Sequence, residues 1–312
     1  MGKILSAVGG ALLLAGCVFL IWKETAPKTN SSSTALKPTY AEKAFEAPPM
    51  VTFKNLPTQI TAAVGTTQDQ GLRSLGIDYA GSRDWRTVFE KSMRRGAEGG
   101  GTYALHILIQ CQAMREQVAE FSTRAASSQA QETARQIYTS RCASFSSDEL
   151  SIENTLRTSK DPRLQNSPLD AHYEEWNFIG ENKRETHNIA ERYLSEADPL
   201  SLEKLGKVFF KPSTSNVTFG GRVYEEPHAN AIFDLAWRAA ICDGTGLPCS
   251  GPLDPYVMDH CAVHGICAES REENIGQVVR QEYGESAEKL YREIRPQLAD
   301  VIRRKDADAL LR

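Results

Sequence analysis

The chain reads as a mainly α protein: an irregular, solenoid-like array of helical hairpins behind an N-terminal membrane anchor. Three observations predict this. Apolar residues recur every three or four positions through most of the second and third hundred residues. One uncharged apolar run stands near the start. Period-two alternation is not sustained beyond a few residues around 206–224. Composition agrees with a globular body. Of 312 residues, 24% are charged and 8% aromatic, which excludes a fully disordered chain, a collagen-like fibre and a polytopic membrane protein. The net charge of −4 supplies no basic field, so nucleic acid is not expected as a partner.

The first element follows residues 1–3, expected in the cytoplasm. Ile4 to Trp22 carries no charge over 19 residues, with Lys3 before it and Lys23-Glu24 after it. At about 1.5 Å per residue such a helix crosses most of a ~30 Å hydrocarbon core. The leading expectation is an uncleaved single-pass anchor. Leu14-Ala15-Gly16-Cys17 also looks like a bacterial lipobox, in which Cys17 would be acylated and become the new N-terminus. Val18 to Trp22 departs from that pattern, because polar residues usually follow the cysteine. A cleaved secretory signal is the third reading. Lysines flank both ends, so charge alone does not orient the segment. Residues 23–56 are rich in Lys, Thr, Ser, Ala and Pro and bury too little to offset ordering entropy; they read as a disordered tether. Residues 57–312 form the helical body.

Within the body, Ala104, Leu108, Cys111, Met114, Val118 and Phe121 share one face of a helix over about 102–123. Ala134, Tyr138 and Cys142 step by four on a second helix over about 128–143, an antiparallel neighbour of the first. Asp198-Pro199 is an N-cap followed by proline at N1, and Leu202, Leu205, Val208 and Phe209 follow as a helix face. Gly220-Gly221 marks a loop. Residues 228–242 are apolar almost all round and predict the most buried helix. Ser270 with Glu273 forms a capping box before Ile275, Val278 and Val279. Residues 286–311 give a last helical stretch that Pro296 should break or kink.

Two stretches carry a resemblance. Gly96-Ala97-Glu98-Gly99-Gly100 leading into Tyr103-Ala104-Leu105 resembles the start of a Sel1 or tetratricopeptide repeat. So does Ala190-Glu191-Arg192-Tyr193-Leu194 followed by Leu202 to Phe209. The C-terminal cysteine pattern is similar to that of exported helical proteins of Proteobacteria. The resemblance covers about half the body and implies a helical interaction scaffold without catalytic residues of its own. No period of about 34–36 residues repeats cleanly, as a regular solenoid requires.

Apart from Cys17, the cysteines are Cys111, Cys142, Cys242, Cys249, Cys261 and Cys267. An even number behind an export signal predicts three disulfides in an oxidising compartment. Short loops favour Cys242–Cys249 and Cys261–Cys267, leaving Cys111–Cys142. Crossed pairings among the four C-terminal cysteines remain open. The rival reading is zinc, held by Cys242, Cys249, Cys261, His264 and Cys267 with His260 beside them, although no CxxC pair is present.

No GxSxG elbow, HExxH helix, P-loop or dinucleotide fingerprint occurs, and no cofactor or catalytic set is expected. Gly99-Gly100-Gly101 reads as a flexible helix start rather than a phosphate loop. His172, Glu174, Glu175 and Trp176 read as a solvated helix face with a buried tryptophan, the alternative being a carbohydrate-binding surface. Arg94-Arg95 and Arg303-Arg304-Lys305 read as solvated faces. The expected function is a membrane-tethered, disulfide-stabilised helical scaffold of the bacterial envelope, body in the periplasm, binding a protein or cell-wall partner. The alternative is an envelope hydrolase of cell-wall material with unidentified carboxylates.

Overall fold

The computed structural model describes residues 70–121, 123–162, 183–210 and 216–311. The anchor segment, Cys17, the tether and the His172–Trp176 stretch lie outside the described residues. Among the described residues no helix is long and apolar enough to cross a membrane.

The described chain is mainly helical. The helices are α1 (Gln70–Gly81), α2 (Trp85–Arg94), α3 (Gly100–Phe121), α4 (Gln129–Arg141), α5 (Ile152–Ser159), α6 (Lys183–Glu196), α7 (Pro199–Phe209), α8 (Ala229–Thr245), α9 (Pro255–His264), α10 (Arg271–Tyr283) and α11 (Glu285–Arg304). A hairpin of β1 (Val217–Phe219) and β2 (Arg222–Tyr224) turns at Gly220-Gly221, where both glycines take positive φ. Side-chain caps start the helices where the chain offers them. Ser128, Ser151, Asp198, Asp254 and Ser270 each accept from backbone N–H groups of the turn they open.

Two apolar cores organise these elements. The first gathers Trp85 and Val88 of α2, Ile107, Leu108 and Met114 of α3, and Ile137 and Tyr138 of α4. The second is built around Phe233 and Trp237 of α8, with α11 packed along α8 more extensively than any other pair of elements. Leu75, Tyr103 and Leu200 form a small cluster of their own, drawn from α1, α3 and α7. The first core takes its last wall from far along the chain: Met258, Cys261 and Ala262 of α9. Residues 249–271 therefore leave the second core, enter the first and return. Their neck is held by Arg271 N to Cys249 O (3.0 Å), Gly251 N to Glu269 O (2.8 Å) and an antiparallel bridge between Ser250 and Ser270. At the tip, Gln131 Nε2 and Arg135 Nε of α4 donate to the Ala262 carbonyl (3.2 and 3.1 Å).

Several expectations change. The helix over 285–304 runs through Pro296 without a break. Burial of Leu290, Tyr291, Ile294, Leu298, Val301 and Ile302 against the second core outweighs the lost hydrogen bond. The start of α3 is not a flexible glycine run. A Cβ at Gly100 would lie 2.2 Å from the Ser92 carbonyl oxygen, so close backbone approach requires glycine there. Helices α1, α2 and α5 add to the elements expected from the sequence. A solenoid, in which each repeat contacts only its neighbours, does not place α9 inside a core more than a hundred positions upstream.

A second glycine makes a direct prediction. A Cβ at Gly206 would sit 2.3 Å from Trp237 Cδ1, at the contact of α7 with α8, where Trp237 Nε1 donates to Leu202 O (2.6 Å). Gly206→Ala is expected to destabilise the body by about 2–3 kcal/mol through overpacking. Chemical denaturation checks this, since a loss below about 0.5 kcal/mol is what an unconstrained surface position gives.

Candidate functional site

Six helices bring polar side chains to one largely buried cluster between the two cores. Glu203 of α7 stands at its centre, 3.6 Å from Arg271 of α10, and accepts from the Tyr256 hydroxyl of α9. Arg238 of α8 reaches Asp234 Oδ2 at 2.5 Å and Tyr256 Oη at 3.4 Å. Tyr79 of α1 lies 3.1 Å from His106 Nε2 of α3. Glu203 keeps 19% of its side-chain surface exposed and Arg238 keeps 24%, so solvent reaches the edge of the cluster. Burial nevertheless pushes the Glu203 carboxyl above the ordinary range, against the pull of Arg271 and Arg238. Burial also lowers His106 to about 3, helped by Lys204 and Lys207. A cluster of convergent, perturbed groups is where a functional site is to be sought.

The base of the cluster is buried. Arg271 donates Nη2 to Asp254 Oδ2 (2.7 Å) and Nε to both Asp254 oxygens (3.1 and 3.2 Å), with 6% and 1% of the two side chains exposed. Arg271 also lies over the Tyr256 ring at 4.5 Å. Tyr103 donates to Asp198 Oδ1 (2.6 Å), joining α3 to the α7 N-cap across 95 positions. Arg141 is fully buried over the Trp85 ring and donates Nη2 to the carbonyls of Ala80 and Leu253. Burial lowers its pKa to about 10.

Glu196, at the end of α6, carries a pH signature. Burial first, then the charge of Asp198, raises its carboxyl to about 7, and its Oε2 has no hydrogen-bond partner among the described residues. A raised carboxyl keeps its proton in the folded state after the unfolded chain has lost it. Stability from this group is complete below the ordinary value of 4.5 and is lost as pH rises to about 7. After discounting for its partial exposure, the expected loss is about 1–2 kcal/mol. His106 works in the opposite sense, because its lowered pKa makes stability rise with pH between about 3 and 6.5. Glu196→Gln should therefore flatten the decline between pH 4.5 and 7 in thermal melts. An unchanged slope would mean that Glu196 titrates normally.

The structure places the expected site residues as follows. Cys111 bonds Cys142 (Cα–Cα 5.5 Å), Cys242 bonds Cys249 (5.6 Å) and Cys261 bonds Cys267 (4.4 Å). This corrects the zinc reading of Cys242, Cys249, Cys261, His264 and Cys267: bridged sulfurs are not thiolate ligands. Among the described residues no group of three or more His, Cys, Asp or Glu could hold a metal ion. Arg95 pairs with Glu98 (2.6 Å), and Arg303 and Arg304 both pair with Asp300 (3.1 and 2.8 Å), as solvated faces do. The residues of this cluster were not singled out from sequence. Asp254-Pro255 repeats the Asp198-Pro199 capping signal, and that was the one available clue.

The chain matches no family model, no curated protein and no solved structure.

Proposed function

We propose that the chain is a membrane-tethered, disulfide-stabilised helical scaffold of the bacterial envelope that binds a protein or cell-wall partner. Three bridged cysteine pairs support an oxidising compartment for the body. The pairs α3–α4, α6–α7 and α10–α11 supply the hairpin units of such a scaffold. The observation that carries the reading is the state of the clustered carboxylates. Asp254 is spent on Arg271, Asp234 on Arg238, and Glu203 is shared between these arginines. Carboxylates committed to arginines brace the scaffold from within and make a poor acid–base pair.

One observation favours the hydrolase as second reading: Glu203 is solvent-reached and its pKa is raised, as a general acid requires. Incubation of the full-length protein with isolated cell-wall sacculi separates the two. Retention on sacculi without release of soluble fragments agrees with the scaffold. Fragment release that Glu203→Gln abolishes establishes the hydrolase. Neither retention nor release removes the cell wall as partner. A periplasm-specific reporter fused to the C-terminus tests the compartment, and activity only in the cytosol would overturn it.

A further inference from the structure

The cysteines of residues 242–267 are spent on one another, but the histidines between them are not. His260 and His264 lie one turn apart on α9, with ring centroids 6.2 Å from each other. Residues at i and i+4 share a helix face, so the two imidazoles open to the same side.

The tautomer of His260 follows from its neighbour. Asn274 of α10 is fully buried and donates its Nδ2 to the Ile266 carbonyl at 2.8 Å. Its Oδ1 is thereby oriented to accept, and it faces His260 Nδ1. The proton of a neutral His260 therefore sits on Nδ1. The lone pair is left on Nε2, for which no protein partner occurs among the described contacts. A ring held through one nitrogen by a carbonyl oxygen, with the other nitrogen free, is the arrangement that prepares an imidazole for a metal. His264 is exposed at the end of α9 and free to turn toward it. Asp259, the preceding residue, lies close enough to both imidazoles to feel their charge. A cation at this position gains from that carboxylate without needing it as a ligand.

We infer that His260 and His264 form a two-imidazole binding site for a late first-row divalent cation, on the face of α9 that meets Asn274 of α10. Two imidazole donors with water in the remaining positions suit Cu2+, Ni2+ and Zn2+, in the affinity order that puts Cu2+ first. The site lies beside the Cys261–Cys267 bridge and joins adjacent turns of α9. A bound ion would therefore fasten the final turn of the helix that completes the first core.

The test uses the full-length oxidised protein, titrated with Cu2+ and separately with Zn2+ by calorimetry at neutral pH, with thermal melts in parallel. One ion per chain is expected, Cu2+ binding more tightly than Zn2+, with a rise in melting temperature that tracks ion concentration. The resonance spectrum of bound Cu2+ should show two nitrogen ligands. His264→Gln, at an exposed position, should fold as wild type and weaken binding at least about tenfold. His260→Gln should do the same, and His187→Gln, which removes a partner of Asp308 elsewhere, should change nothing. Binding of equal strength in the His264→Gln variant would overturn the assignment. So would weak, non-saturating binding in every variant, or a Cu2+ spectrum without paired nitrogens.

Discussion

Replacing Asp254 with alanine is expected to cost the body about 3–5 kcal/mol, the range measured when one partner of a buried ion pair is removed. Arg271 would keep its charge in a site where 6% of its side chain is exposed. Glu203 at 3.6 Å is already shared with Arg238 and offers poor compensation. The same substitution strips the N-cap of α9, since Asp254 Oδ1 accepts from the N–H groups of Tyr256 and Val257. Both losses act on the element that links the two cores. At about 2–4 °C per kcal/mol for a body of this size, the melting temperature should fall on the order of 10 °C. An apolar double replacement, Asp254→Leu with Arg271→Met, should recover much of that loss, because it leaves no uncompensated charge. A shift of less than about 3 °C for Asp254→Ala would mean that Arg271 is not held as described.

Cys111→Ala with Cys142→Ala is expected to have an effect of similar size by another route. The bridge closes a span of 31 residues. In the chain-entropy model, freeing that span adds about 4 kcal/mol to the favour of the unfolded state. The short bridges, with separations of 7 and 6, should each contribute less. The double variant should melt on the order of 10 °C lower and keep its retention on sacculi well below the new midpoint. Wild-type melting with lost retention would assign the cysteines a chemical role instead of a structural one.

Much of the helical content was legible because local signals carried it. The all-round apolar stretch of 228–242 is the helix at the centre of the second core. The capping residues Asp198 and Ser270 stand where their helices begin. Helices α1, α2 and α5 were not legible. In α2 few residues are buried, and in α5 none is, with Ile152 and Leu156 exposed on its surface. Pro296 misled because its cost is local while its compensation comes from α8, far away in sequence. The glycines misled in the same manner. Gly100 and Gly206 are required by a carbonyl and an indole that sequence does not place beside them. The buried polar cluster was the least legible feature. Tyr103 and Asp198 meet across 95 positions, and Asp254 and Arg271 are joined by a neck of only a few hydrogen bonds. Such convergence is a property of tertiary packing, and one sequence carries no periodicity for it.

The insertion of α9 has a consequence for biosynthesis. The nascent chain delivers α2, α3 and α4 more than a hundred residues before Pro255–His264 has been made. Until then the surfaces around Ile137, Tyr138 and Met114 lack the side chains of Met258 and Ala262. The earlier half of the body must wait, with apolar surface uncovered, for the later half to be translated. Contacts of such long sequence separation slow folding and lengthen exposure to aggregation. A bond formed early between Cys111 and Cys142 would limit how far the waiting segment can spread. Premature release of the chain anywhere before residue 255 should therefore leave an insoluble fragment rather than a folded half.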